Sequence, residues 1–487
     1  MGGRERLQAI QVLAMKGGTG TRYRLGQTRR VGGDESPAPQ LTNVNETADL
    51  LNGRASLDYE VKNGDFVQHR HEILTRRGGV PGAAASGVAG DVRNAPLVGI
   101  EIVGTRPIVA TSPGGLFSWG TQNSPEFLLR RNIVTIALAA ADSMSDDQPA
   151  EDKELDGRML GFGTAKTADG EEIGVYFDPE SKLIAGFETI DTETMLGDVP
   201  AQYLFSDYRA VEGVVLPHHV TIRKGGRDYS DVQYASITID DPQALGVFSI
   251  PESASAEADR AVAAGEYTPL ALTKVADGVF LAQAYSHNSL IVEFPSYIAV
   301  VEAPYTETQS RVLARLIREQ FPNKPIQYAA VTHHHYDHIG GIRGIAAEGA
   351  TLLVATRHEP VIREVMDARH THPPDELEKG RSRGVSWKGE FYEGKHILAE
   401  GNQALELYVI EGSPHAEPIV LAYVRSVRAL FQSDLWFPGT GGAGSPAARH
   451  LLESVRKLDL RVDTNIGGHG GVAPFSELVA AVGKMPQ

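Results

Sequence analysis

Four histidines and an aspartate crowd into six positions, His333-His334-His335-Tyr336-Asp337-His338, between an apolar run ending at Thr332 and the pair Gly340-Gly341. So many ionisable side chains cannot be buried without partners or a bound cation, because desolvation costs each several kcal/mol. The chain must therefore deliver the string at the edge of a sheet. An apolar strand over Ala329 to Thr332, followed by a helix after His338, would do so. Residues two apart in an extended loop point the same way, so His333 and His335 can converge on one ion. Asp337 and His338, on the turn entering the helix, can reach a second. Gly340 and Gly341 allow close packing that a side chain would block. A run of histidines alone is often only a solvated loop; the spaced pattern after a strand is what points to metal.

The flanking periodicity places this string in an α/β region. Strands are expected at Ser289 to Glu293 and Ile298 to Val301, a helix at about Thr306 to Gln320, a strand at Thr351 to Ala355 and a helix after His358. Before Thr268 the pattern differs. The runs GVYFD, LIAGFETI, QYLFSDY, VVLPHHVTI and YASITI alternate apolar with polar residues and are separated by turn residues, which predicts an antiparallel meander. Leu7 to Met15 reads as a short helix stopped by Gly17-Gly18. Arg77 to Asp91 and Ala141 to Asp156 read as mobile loops, and the Ala-rich, charged interval Pro251 to Tyr267 as a linker. The expected class is α+β, with a mostly β domain over 1–255 and a second domain over 268–487.

Length and charge limit what such a chain can do. At 487 residues there is material for two or three domains. The net charge of −16 divides into 25 basic against 38 acidic residues before Thr268 and 21 against 24 from there on, so neither half offers the basic footprint that nucleic acid requires. No stretch approaches the ~20 uninterrupted apolar residues of a membrane-spanning helix, and the first residues lack the apolar core of a signal peptide. With no cysteine, thiolate ligands, disulfides and a Cys nucleophile are excluded, so any metal must be held by nitrogen and oxygen.

Twelve of the 16 histidines lie from Thr268 onward. His415 follows the apolar run Leu405 to Ile410, Asp434 ends ALFQSDLW, and His469 lies within Gly467-Gly468-His469-Gly470-Gly471. With the HxHxDH string these residues resemble the signature of the metallo-β-lactamase superfamily. The resemblance implies an αββα sandwich in which His333, His335 and His415 hold one metal, Asp337, His338 and His469 hold another, and Asp434 bridges them. Two zinc ions per chain are the implied cofactor, with Mn2+ or Fe2+ as alternatives. Val301-Glu302-Ala303-Pro304 stands where many members have an Asp-containing strand end.

The implied activity is hydrolysis of an ester, lactone or amide/lactam bond in a small, apolar substrate by a metal-bridging hydroxide, with Asp337 orienting the nucleophile and moving its proton. Two alternatives stand beside it: a mononuclear iron thiol dioxygenase of the same fold, and an apolar-ligand carrier with a vestigial metal site. His334 and Tyr336 should point away from the metals. His358, His370, His372 and His396 are expected to be exposed, the segment His370 to His396 to form a substrate lid with Trp387 as its apolar contact, and Gly439 to Gly444 to be an ordinary loop before a helix capped by Ser445-Pro446. GVYFDPESKLIAGFE and FSDYRAVEGVVLPHHVTI resemble sheet segments of LolA-type lipoprotein-carrier half-barrels. That likeness implies a periplasmic or secreted location, with the cytoplasm as the alternative; a homodimer is a further expectation.

Overall fold

The structure is a computed structural model that describes residues 1–23, 26–33, 39–63, 66–76, 97–103, 106–110, 125–144, 151–168, 170–264, 270–284, 286–372, 374–440 and 444–485. The chain divides into two compact units. One comprises Met1–Arg24, Pro37–Glu193 and Asp198–Tyr267; the other comprises Leu25–Ser36, Thr194–Gly197 and Thr268–Gln487. The second unit thus takes in two short segments that the linear division assigns to the first domain.

The first unit is built on a 14-stranded sheet, antiparallel at each pairing described. One meander runs outward from Val12–Arg22 to Arg106–Ala110, and another from Glu151–Leu155 to Arg227–Gln233; they join where Thr19 faces Gln233. The alternation in the sequence is realised as strands at Glu172–Phe177, Ile184–Glu193, Gly197–Val211, Val214–Lys224 and Ser236–Ile239.

Three expectations need correction here. The helix expected from Leu7 to Met15 stops at Ala9, and Val12–Arg22 is a strand. Leu13 and Met15 pair with Ile239 and Ile237 on one side while Leu13 faces Ala48 on the other, so tertiary pairing overrides a local pattern that fits either period. The expected loop at Ala141 to Asp156 contains the end of the helix Ile133–Ser143 and an edge strand, Glu151–Leu155. The expected linker is largely a helix, Glu252–Ala264, whose small Ala254 and Ala258 lie against Ile73, Val98, Ile100 and Val109. The loop expected at Arg77 to Asp91 lies outside the described residues.

In the second unit a seven-stranded sheet, Ala271–Ala276 to Lys388–Tyr392, faces a six-stranded sheet, Lys395–Glu400 to Val472–Pro474. Their inner faces interlock through Leu281, Leu290, Val292, Val301, Leu353, Leu405, Leu407, Val420, Phe431 and Ile466. Each such side chain contributes about 1.5–3 kcal/mol on burial. The helices Glu307–Gln320, Ile342–Ala347 and Glu359–Asp367 cover the outer face of the first sheet. Pro446–Lys457 and Phe475–Gly483 cover the second. This is the expected four-layer αββα arrangement. Ser445 caps its helix by accepting from the Ala448 amide at 3.1 Å, with Pro446 in the first turn.

The expected strand over Ala329 to Thr332 is shifted to Ile326–Ala330. The expected lid carries a helix, Glu376–Arg381, and the sheet strand Lys388–Tyr392. Trp387 packs on the helix-side core and donates its indole N–H to Asp367 at 2.8 Å, so it serves the fold. Among the described residues no helix is long and apolar enough to cross a membrane.

Candidate metal centre

Strand order explains why residues far apart in sequence meet. Ile298–Val301 runs parallel to Ile326–Ala330, with Val301 beside Ala330, so Glu302 and the segment from Thr332 leave the sheet at one edge. Asn288–Glu293 is antiparallel to Ile298–Val301, which brings its first residues and His287 to that edge as well. In the other sheet Ala429–Gln432 and Thr464–Gly467 are parallel, delivering Asp434 and His469 together. The glycine pair allows close approach: a Cβ on Gly340 would lie 2.1 Å from the Tyr305 carbonyl oxygen, and one on Gly341 2.1 Å from Ser310 Oγ.

Asp434, in a left-handed backbone conformation (φ 61°), is the centre of the cluster. Its Oδ2 lies 2.8 Å from His415 Nε2, 2.9 Å from His338 Nε2 and 3.5 Å from His333 Nε2; its Oδ1 lies 2.7 Å from His469 Nε2. His333, His335, His415 and Asp434 form one group whose ligand atoms all lie within 4.8 Å of one another. His338 and His469 form a second such group with His287, a residue that the sequence pattern did not single out. Asp337 stands beside this second group: its Oδ2 is 3.9 Å from His338 Nε2 and 3.1 Å from His287 Nε2, and its Oδ1 accepts from the Gln27 side-chain amide at 2.5 Å.

The far side of these imidazoles is held by the protein. His338 Nδ1 lies 3.0 Å from Glu302 Oε2 and 3.2 Å from Ser433 Oγ. His333 Nδ1 lies 3.0 Å from Thr332 Oγ1, and that hydroxyl donates to Glu302 Oε1 at 2.5 Å. His335 Nε2 donates to the Thr28 carbonyl at 2.9 Å, and His469 Nδ1 to the Ser286 carbonyl at 3.0 Å. Such bonds select the tautomer that frees the opposite nitrogen. His333 Nε2, His335 Nδ1, His338 Nε2, His415 Nε2 and Asp434 Oδ1 are buried, and apart from the close contacts around Asp434 given above they have no hydrogen-bond partner. Buried polar atoms with so few hydrogen bonds are costly, and their gathering around one carboxylate fits bound cations. The donor set of nitrogen and carboxylate oxygen suits a borderline divalent ion such as zinc.

The electrostatics follow from burial and from the mixture of signs. Burial pushes His333 well below its ordinary value and His335 down to about 4, keeping both neutral with a lone pair to offer. Burial opposes charge on His338 too, but Asp434, Glu302 and Asp337 outweigh it and raise this group. Asp434 and Asp337 are held well below the carboxylate range, because the surrounding imidazoles outweigh the cost of their burial.

Beyond the ligand candidates, His334 points away, donating to the Thr28 carbonyl at 2.7 Å, and Tyr336 is part of the helix-side core, as expected. His358 and His370 depart from expectation. Both are buried, His358 donating to the Pro418 carbonyl at 3.1 Å. Glu302, His287, Gln27 and Thr28 escaped the sequence reading. Only Glu302 carried a signal, as the residue standing in place of the superfamily's usual strand-end aspartate.

Residues 283–469 match the family model described as the metallo-beta-lactamase superfamily. Over 78 residues, 16% of this chain, the sequence is 31% identical to a linear primary-alkylsulfatase of a Pseudomonas species and 28% identical to an alkyl/aryl-sulfatase of Saccharomyces cerevisiae. The aligned stretch covers 12% of either protein. Among solved structures, a metallo-β-lactamase from Hirschia baltica covers 44% of this chain and 96% of its own at 18% identity, with a TM-score of 0.34. One from Pontibacter korlensis covers 44% and 97% at 15% identity, with a TM-score of 0.33. The αββα architecture, the cluster at the sheet edge and the matching family model agree: over residues 283–469 this chain carries a metallo-β-lactamase superfamily domain.

Proposed function

We propose that the second unit is a metal-dependent hydrolase with two adjacent metal subsites, zinc being the ion its donors suit best, acting on an ester, lactone or amide/lactam bond of a small substrate. The observation that carries this reading is the convergence of four imidazole nitrogens, those of His333, His338, His415 and His469, within 2.7 to 3.5 Å of the Asp434 carboxylate. His333, His335 and His415 would hold the first ion, Asp337, His338 and His469 the second, and Asp434 would lie between them. When bound, such ions supply Lewis acidity and a water acidic enough to yield hydroxide near neutral pH.

The protein's own groups do the rest. Asp337 is anionic and clamped between the Gln27 amide and His287, so it can orient an attacking water and receive its proton without swinging away. Glu302 keeps the Nδ1 proton of His338 occupied, which leaves Nε2 aimed inward. The His415 side chain is 30% exposed where those of His333 and His338 are fully buried, and this marks the side from which substrate reaches the centre.

A second reading places the scissile bond in a sulfate ester, which the two alkylsulfatase likenesses favour. Both readings are tested by elemental analysis of the purified protein together with turnover of a panel of carboxylic ester, lactone, lactam, sulfate ester and phosphodiester substrates, for the native chain and Asp337→Ala. About two zinc ions per chain and a turnover that drops at least ~10²-fold in the variant are expected, and the substrate class turned over names the bond. One iron with oxygen uptake, or no metal and no turnover, would sink the hydrolase reading.

A further inference from the structure

We propose that His287 is itself a ligand of the second metal subsite, which would then present three imidazoles, His287, His338 and His469, beside Asp337. This rests on the two-metal reading above and adds to it a residue outside the HxHxDH pattern.

His287 is placed for that role by backbone that binds it to the loop carrying His469. The two residues form an antiparallel bridge. The Asn288 amide donates to the Gly468 carbonyl at 2.7 Å, and the Asn288 side chain donates to the Gly467 and Gly470 carbonyls at 2.9 and 3.0 Å. The turn before one strand and the loop after another are thereby fixed as a unit. The ring of His287 lies edge-on to that of His469 at 3.8 Å and 4.8 Å from that of His338. One ring nitrogen of each of the three is within 4.8 Å of the others.

The spacings are those of atoms arranged around one ion. Two ligands at zinc–nitrogen distances of ~2.0–2.1 Å and a tetrahedral angle are about 3.4 Å apart. His287 Nε2 to Asp337 Oδ2 is 3.1 Å, and Asp337 Oδ2 to His338 Nε2 is 3.9 Å, one on either side of that value. His287 is 4% exposed and its Nδ1 has no hydrogen-bond partner, so the ring has left water for little return from hydrogen bonding. A metal bond at Nε2, the atom that meets Asp337, would add to that return. The narrower role, a donor that only steadies Asp337, would account for the 3.1 Å contact but not for three imidazoles gathered with ring nitrogens towards one another. With His287 included, the second subsite presents three imidazoles, as many as the first, and has Asp337 beside them, while the first subsite lies beside the partly exposed His415.

The test is zinc binding by the full chain, measured by competition with a chromophoric chelator, with the Co2+ absorption spectrum as a second readout, for the native protein, His287→Ala and His287→Gln. The native chain should take two Zn2+. Each variant should keep one at native affinity and bind the other more than ~100-fold more weakly, beyond the ~10–100-fold that loss of a mere ligand-orienting partner costs, with the Co2+ bands of one site altered. Either variant losing no more than ~100-fold in affinity for the second ion, with an unchanged Co2+ spectrum, overturns the assignment, whatever its turnover. Should the variants fail to fold, the imidazole 15N signals of the native protein decide: the His287 ring must shift with the second Zn2+ equivalent, and a stationary signal overturns the proposal. A native chain that binds two ions through His287 yet turns over no substrate would refute the hydrolase reading and leave this one standing. A native chain that binds no Zn2+ would refute both.

Discussion

Both units bury charge, but they arrange it in opposite ways. In the β unit, several buried ions meet their counter-ions, whereas Glu72 is pushed up to about 8 by burial and by the neighbouring Glu101. Lys224 Nζ lies 2.9 Å from Asp191 Oδ2, Arg131 reaches the other oxygen of Asp191 at 3.1 Å and both oxygens of Glu171 at 2.8 Å, and Arg70 lies 2.5 Å from Glu101. Burial alone would raise Asp191, yet Lys224 and Arg131 hold it below the carboxylate range. In the αββα unit imidazoles outnumber carboxylates: His287, His333, His335, His338, His415 and His469 gather around Asp434, Asp337 and Glu302. The ion pairs of the first arrangement neutralise themselves. The second has the donor set of a cation site, and that contrast separates structural pairing from the proposed metal centre more clearly than burial or charge alone.

The largest expected effect lies in the scaffold. Lys224→Ala leaves Asp191 buried with one counter-ion fewer and should cost about 3–5 kcal/mol in urea unfolding, with zinc content unchanged. A variant as stable as the native chain, or one that loses zinc, would break the division between the two modes of burial. Next comes Glu302→Ala, which removes the acceptor that orients His338. Zinc affinity in chelator competition should fall ~10–100-fold, and an unaltered affinity would show that the ring keeps its aim without the carboxylate.

The third effect concerns pH and is the most gradual, small within any one pH unit. Burial pushes His358 down to about 3, against about 6.5 for an unfolded histidine. The unfolded chain therefore binds the extra proton, so stability is complete above about pH 6.5 and declines as pH drops toward 3, by up to ~1.4 kcal/mol per pH unit. His358→Gln, compared with the native chain in urea melts across that window, should flatten the slope. An unchanged slope would mean that His358 is not kept neutral by the fold.

The candidate centre was legible in the sequence to the extent that it is written locally. The alternation of His333, His335 and His338 after an apolar strand, and the single His415, Asp434 and His469 at the ends of later strands, could be named because strand-end position and residue type are both local properties. His358 and His370 were misjudged because burial depends on what packs over a helix start, and nothing nearby in sequence records the Pro418 carbonyl that His358 meets 60 residues away. The helix assigned to Leu7–Met15 failed for a related reason. Its apolar spacing fits two periods, and the pairing of Val12–Arg22 with strands on both sides decided between them.

By itself, then, the sequence determined the type of donor: nitrogen and oxygen without thiolates, in the order that the proposed pair of metal subsites requires. Tertiary structure alone decided which groups aim those donors. Thr28 and Gln27 approach His335 and Asp337 from 307 and 310 residues away. Glu302 meets His338 because two parallel strands end together, and His287 joins because an antiparallel strand begins where they end. Ligand identity is a property of side chains and survives in one dimension. Orientation is set by hydrogen bonds between segments that only the packing of two sheets brings within 3 Å.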